Sequence, residues 1–316
     1  MIEILENELI FSSCPDFTAC HASTIEQAPD GSLCAAWFAG TREGNRDVDI
    51  FTARKAEGTW SAPTRLVRLP EPCWNPVLFA HENRLLLFFK TGPSPQAWRT
   101  LLCDSSDNGR SWSLPRELVP GDVGGRGPVK NKPIRLSDGR LVAPASIEKG
   151  NAWDCFTDVS FDGGLTWTAS PFVPFTHQGE ETDGIIQPTL WEDASGLHML
   201  ARSTRGRLYS GRSLDGGLSW EEAKATDFPN NNSGVDLDRL EDGRLLLVYN
   251  PLSGRSRDTI VCSLLQSDLS VLETLVLDQN DRREFSYPAV IARGSDVFLT
   301  YTDNRESIRY CHLIIG

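Results

Sequence analysis

Apolar residues along this chain come in short runs, each opened by a turn and followed by a polar stretch. LLLFFK (85–90), LVAPAS (141–146) and LLLVYN (245–250) are representative. Such runs, bounded by Gly, Asp, Asn and Ser, predict strands, and amphipathic helical periodicity is not sustained anywhere. The turns that open them recur as Asp30-Gly31-Ser32-Leu33, Glu82-Asn83-Arg84-Leu85, Asp138-Gly139-Arg140-Leu141, Ala194-Ser195-Gly196-Leu197, Asp242-Gly243-Arg244-Leu245 and Gly294-Ser295-Asp296-Val297, at intervals of 48 to 56 residues. A period of this length with several short strands per repeat predicts a radial β-propeller. The expectation is an all-β, six-bladed β-propeller forming one domain over residues 1–316.

A second repeat falls between the first. Ser105–Trp112, Ser160–Trp167 and Ser213–Trp220 share the pattern Ser-x-Asp-x-Gly-x-Ser/Thr-Trp, and a decayed copy without the Asp ends at Trp60. An Asp there can accept hydrogen bonds from the amides of its own turn, Gly can take positive φ, and Trp can pack between strands. Asp107, Asp162 and Asp215 are therefore expected to be structural and not catalytic.

Composition narrows the function classes. With 43 acidic against 31 basic residues the net charge is −12, which argues against nucleic acid or an anionic membrane as the main partner. No apolar run approaches the roughly twenty residues that span a bilayer. The first residues, MIEILENELIFSSCPDF, lack the basic start and long apolar stretch of a signal peptide, so a cytoplasmic location is expected. The eight Cys are scattered without CxxC pairs, as reduced and mostly buried small hydrophobes would be. The His residues show no ligand spacing, and no Gly-rich loop precedes a helix, so neither a metal nor an organic cofactor is expected.

The three eight-residue motifs resemble the Asp-box, or BNR repeat, of the sialidase (neuraminidase) superfamily, and the repeat pattern extends over nearly the whole chain. That resemblance implies a sialidase-like propeller and a glycosidase site: an arginine triad for a substrate carboxylate, a Tyr nucleophile with a Glu partner, and an Asp acid/base. In Trp37–Gly44 the matching arginine is Arg42, and in the segment after it the acid is Asp47, with Asp49 as the alternative. Met199-Leu200-Ala201-Arg202 supplies a second arginine, and Tyr249-Asn250-Pro251 leads to a third, Arg257. Phe285-Ser286-Tyr287-Pro288 places Tyr287 as the nucleophile. Two positions depart from the family: His21 stands for an arginine, and Gln187 for the Glu partner, which Glu181 or Asp183 must then replace.

The residues themselves allow the same grouping on chemical grounds. Arg suits planar carboxylate recognition because its fork donates two parallel bonds, although surface solvation or a loop ion pair is the plainer role. His21 can serve as acid, base or hydrogen-bonded filler. Trp74, Asn75, Asn131, Lys132, Asn232 and Asp236 sit near expected strand ends in several repeats, and Asn75, Lys132 and Asn232 are the expected sugar contacts beside the arginines. The function expected first is an exo-acting glycoside hydrolase in carbohydrate metabolism, taking a small acidic glycoside such as a sialoside at its non-reducing end. An exo-acting uronate lyase, using His21 or Tyr287 as base, and a non-catalytic carbohydrate-binding propeller are the alternatives.

Overall fold

The computed structural model describes residues 1–179 and 181–316, and its regular structure is entirely β-strand. Among the described residues the strands form six antiparallel meanders. Their first strands are Ala19–Gln27, Cys73–His81, Ile134–Arg135, Asp183–Asp193, Asp236–Arg239 and Phe285–Arg293. The third and fourth meanders merge into one sheet through two parallel pairs, Ala152 with Asp183 and Trp153 with Gly184. The sixth takes its outer strand from the other end of the chain, Ile2–Leu9 pairing with Ser307–Ile315.

Alternation within the apolar runs explains the assembly. In Arg84–Thr91, Leu85, Leu87 and Phe89 face the first meander, whereas Leu86 and Phe88 face the third. In Leu245–Tyr249, Leu245, Leu247 and Tyr249 face the fourth, and Leu246 and Val248 the sixth. Each sheet is thus buried on both faces, which is why these strands read as continuous apolar runs and not as alternating ones. Apolar clusters fill the space between every successive pair of meanders, including the sixth and the first. Each Leu or Phe so buried contributes about 1.5–3 kcal/mol.

The Asp motifs are structural in the way the sequence suggests. Asp162 accepts from the amides of Leu165 and Thr166 at 3.1 and 2.9 Å and from the Thr166 hydroxyl at 2.6 Å. Asp107 and Asp215 repeat the arrangement with Ser111 and Ser219. Seven of the eight Cys are buried, Cys14 partly so.

The feature that positions the site is a bulge in the first strands. Register shifts fall at His21/Thr24, Trp74/Val77, Ile186/Thr189 and Ser286/Ala289. The bulges hold Ala22, Asn75, Gln187 and Tyr287 at φ of 56°, 37°, 53° and 55°, and Asn232, just before the fifth first strand, has φ 58°. Left-handed backbone at non-glycine residues costs about 1–3 kcal/mol each and persists only where the surroundings impose it. A bulge also re-aims the side chain it carries.

Candidate functional site

Three of these left-handed residues meet around one guanidinium. Arg202, on strand Gly196–Ser203 and only 7% exposed, donates from Nη1 to Gln187 Oε1 at 2.9 Å and to Tyr287 Oη at 2.7 Å, and from Nε to Asn232 Oδ1 at 3.0 Å. Its guanidinium lies 5.7 Å from the ring centre of Trp153 and 5.8 Å from that of Tyr287. None of the three hydrogen-bond partners is a carboxylate. No described carboxylate lies within ion-pair distance of it; Glu148 feels its charge, but only from beyond that distance, so the buried cation has no direct ion-pair partner, an arrangement that favours an incoming anion.

A second group borders the first. The His21 ring lies 4.3 Å from that of Tyr287, and its Nε2 is 3.5 Å from Arg305 Nη2. Burial pushes the His21 pKa well below its ordinary value, and Arg305, Arg257, Arg202 and Lys130 push the same way, so the ring is neutral at physiological pH. Its Nδ1 is buried without a partner. Arg257 sits 5.7 Å from the Tyr287 ring centre and pairs with Glu284 at 3.0 Å. Arg305 also pairs with Glu284, at 3.0 Å, and with Glu43 at 2.5 Å. Burial raises the Glu284 pKa, but Arg305, the Ser286 hydroxyl and Arg257 together more than offset this and leave it below its ordinary value.

A cavity of about 610 Å³ adjoins this group, lined among others by His21, Phe38, Arg42, Glu43, Trp74 and Arg305. Arg42 is exposed at its rim. Asp47 is exposed too, and its carboxylate accepts from the Thr41 amide and hydroxyl, both at 3.0 Å, within its own loop. A groove of about 690 Å³, lined by turn residues including Asp193, Ser195, Arg239 and Asp268, contains none of these groups.

Several sequence candidates lie elsewhere or do other work. Lys132, expected at the sugar, is instead a half-buried tie: its Nζ reaches Asp236 at 3.3 Å and the carbonyls of Leu237 and Val290 at 3.0 and 2.7 Å. Burial lowers its pKa, but Asp236 and Asp238 outweigh that and raise it. Asp183 does not reach Tyr287: Arg205 holds it at 2.6 and 2.9 Å and, first among several donors, lowers its pKa to about 2. Glu181 is exposed. Asp49 pairs with Arg65 at 3.0 Å. Asn131 bonds backbone carbonyls, and Trp74 donates to the Gly92 carbonyl at 3.0 Å. Asn75 is buried in its bulge.

Sequence reasoning missed Arg305, Glu284 and Lys130. Arg305 occupies a hairpin turn at φ 56°, a place that reads as ordinary solvated surface. Glu284 lies three residues before Tyr287, and its two arginine partners are distant in sequence. Among the described residues no group of three or more His, Cys, Asp or Glu is arranged to hold a metal ion.

Comparison with known proteins agrees with this architecture. A crystal structure of a protein of unknown function from Dyadobacter fermentans superposes with a TM-score of 0.80 at 16% identity, covering 100% of this chain and 99% of the other. Trypanosoma rangeli sialidase gives 0.73 at 18% identity, covering 94% of this chain and 55% of its own. A mutant of the NanB sialidase from Streptococcus pneumoniae gives 0.74 at 14%, covering 97% and 70%. This chain thus spans about half the length of the trypanosomal enzyme, and at such identities the likeness is one of fold. No curated protein matches the sequence. Residues 31–299 match the BNR repeat-like domain model, and with the Asp motifs and the fold this makes the chain a member of the BNR repeat-like, sialidase-like superfamily.

Proposed function

We propose that the six meanders close as a single six-bladed propeller over residues 1–316 and that the protein is an exo-acting glycoside hydrolase for a non-reducing-end anionic sugar. The observation that carries the reading is Arg202, a buried guanidinium that bonds Tyr287 and two amides and has no ion-pair partner among the described residues. A substrate carboxylate supplies that charge, with Arg42 and Arg257 completing its contacts. A carboxylate docked there brings the adjoining anomeric carbon beside Tyr287 Oη. Tyr287 stabilises or attacks that carbon, and Asp47 protonates the departing glycosidic oxygen and then takes a proton from water. The trypanosomal relative has been crystallised with sialic acid, and a sialoside is the substrate of first choice here.

One observation favours a second reading. The groups bonded to Tyr287 are Arg202 and Gln187, both donors, and the neutral His21 ring adjoins it. Among the described residues no carboxylate touches the hydroxyl to take its proton, which suits β-elimination from a uronate: Arg202 neutralises the carboxylate, His21 or Tyr287 removes the C5 proton, and the C4–O bond breaks. NMR product analysis of wild type and Tyr287→Phe on a panel of sialosides and glucuronides separates the two. An intact acidic sugar, absent with the variant, supports hydrolysis; an unsaturated uronate establishes elimination; no turnover anywhere in the panel refutes both.

A further inference from the structure

A bulge leaves carbonyls outside the sheet ladder, and a buried carbonyl needs a donor. In this protein one dipeptide supplies donors to three first-strand regions. Lys130, buried, donates from Nζ to Asn131 Oδ1 at 2.8 Å, to the Val235 carbonyl at 2.9 Å and to the Pro288 carbonyl. Asn131 donates from Nδ2 to the carbonyls of Gln187 and Pro188 at 3.2 and 3.0 Å. The carbonyls so captured belong to Gln187-Pro188 in the fourth meander, Val235 at the start of the fifth and Pro288 in the sixth. These are the segments that carry Gln187, Asn232 and Tyr287, the three partners of Arg202.

The fit around the lysine is close. A Cβ on Gly234 would stand 2.8 Å from Lys130 Cε, so only glycine allows the lysine stem to pass, and Lys130 Nζ ends 6.0 Å from the centre of the Tyr287 ring. The neighbouring Lys132 offers a contrast, since it bonds Asp236 and carbonyls further along the fifth and sixth first strands. Arg202 joins the side chains these bulges carry, whereas Lys130 and Asn131 join their backbone carbonyls.

We propose that Lys130 and Asn131 are positioning residues that hold the bulges carrying Gln187, Asn232 and Tyr287 at the spacing at which they surround Arg202. They touch no substrate and act through those side chains. This rests on the reading of Arg202 and Tyr287 as the anion site, but its first readout does not need a ligand.

The test is a pair of crystal structures, of Lys130→Met and of Asn131→Asp, beside that of wild type; the second variant is isosteric and serves if the first fails to fold. The expected result is that the Arg202–Tyr287 bond opens by more than about an ångström while the outer strands superpose. An unaltered arrangement of Arg202, Gln187, Asn232 and Tyr287 in either variant overturns the proposal. The second readout is calorimetric binding of N-acetylneuraminate and D-glucuronate. Burial lowers the Lys130 ammonium to about 7, against the pull of Asp236 and with Lys132 and Arg202 adding to the repulsion. A neutral amine donates two bonds and not three, so wild-type affinity should weaken as pH rises from 6 to 8.5 and stay uniformly weak, tenfold or more, in Lys130→Met. A variant that keeps wild-type affinity and pH dependence overturns the proposal. If wild type binds neither sugar, the anionic-sugar reading fails, while the crystal structures still decide this one.

Discussion

Arg202→Met separates a residue kept for a ligand from one kept for the fold. Methionine matches the stem of the arginine and removes the guanidinium. Of the three acceptors left behind, Gln187 and Tyr287 can bond each other, being already 3.5 Å apart, so only Asn232 Oδ1 is orphaned. An unsatisfied buried acceptor costs about 1–3 kcal/mol. Against this stands the relief of removing a buried cation that has no direct ion-pair partner among the described residues, whose desolvation penalty is several kcal/mol. The two offset each other, and the melting temperature should stay within about 5 °C of wild type at roughly 2–3 °C per kcal/mol for a chain of this size. Binding behaves differently. Two charge-assisted bonds to a carboxylate at about 1.5–3 kcal/mol each amount to at least about 3 kcal/mol, a loss of about a hundredfold or more. Scanning calorimetry and titration calorimetry with N-acetylneuraminate and D-glucuronate read the two quantities on the same sample. A variant that melts 10 °C lower yet binds as wild type would refute the argument, because Arg202 would then be a structural group.

Three further outcomes follow from single residues. The folded state excludes a proton from buried His21 that the unfolded chain takes up below its ordinary value of 6.5, so stability should fall as pH drops from about 6.5 toward 5. His21→Asn should flatten that part of a denaturant-midpoint profile, and an unchanged slope would contradict it. Asp183, held near 2 by Arg205, contributes stability that is present above its ordinary pKa of 3.8 and lost as pH falls toward 2. Asp183→Asn should melt lower at neutral pH and lose that acid dependence, as a melting series from pH 7 to 2.5 would show. Gly184 has φ 148° and its Cβ would stand 2.0 Å from the Trp153 carbonyl. Gly184→Ala should destabilise by more than about 4 kcal/mol through loss of the pairing between the third and fourth meanders; soluble expression and a melt within 5 °C of wild type would show the strand can shift.

Much of the fold is legible because its signals are local. Each turn that opens a run, and each Ser-x-Asp-x-Gly-x-Ser/Thr-Trp segment, satisfies its own amides within a few residues, so the pattern survives in the sequence without reference to distant parts. The continuous apolar runs report burial on both sheet faces. The N-terminal strand is different: Ile2–Leu9 mixes polar and apolar residues without a sustained pattern, and nothing in it names Ser307–Ile315 as its partner. The cluster divides the same way. Tyr287, Gln187 and Asn232 lie in Pro- or Asn-rich strand starts that mark an unusual backbone, and the structure gathers them with Arg202, His21 and Arg257. Lys132 and Asp183 share those surroundings but find a carboxylate and a guanidinium close by, and long-range pairing of that kind leaves no trace in spacing. Arg305 and Glu284 were hidden for the same reason, their partnership joining two turns that each look solvated.

The most direct measurement is a crystal structure of the protein with N-acetylneuraminate, and separately with D-glucuronate, diffused into its crystals. The account predicts that one of these sugars places its carboxylate on the Arg202 guanidinium, with the ring carbon next to that carboxylate facing Tyr287 Oη. Clear density for either sugar elsewhere with this site empty, or a bound sugar turning only hydroxyls toward Arg202, would contradict it.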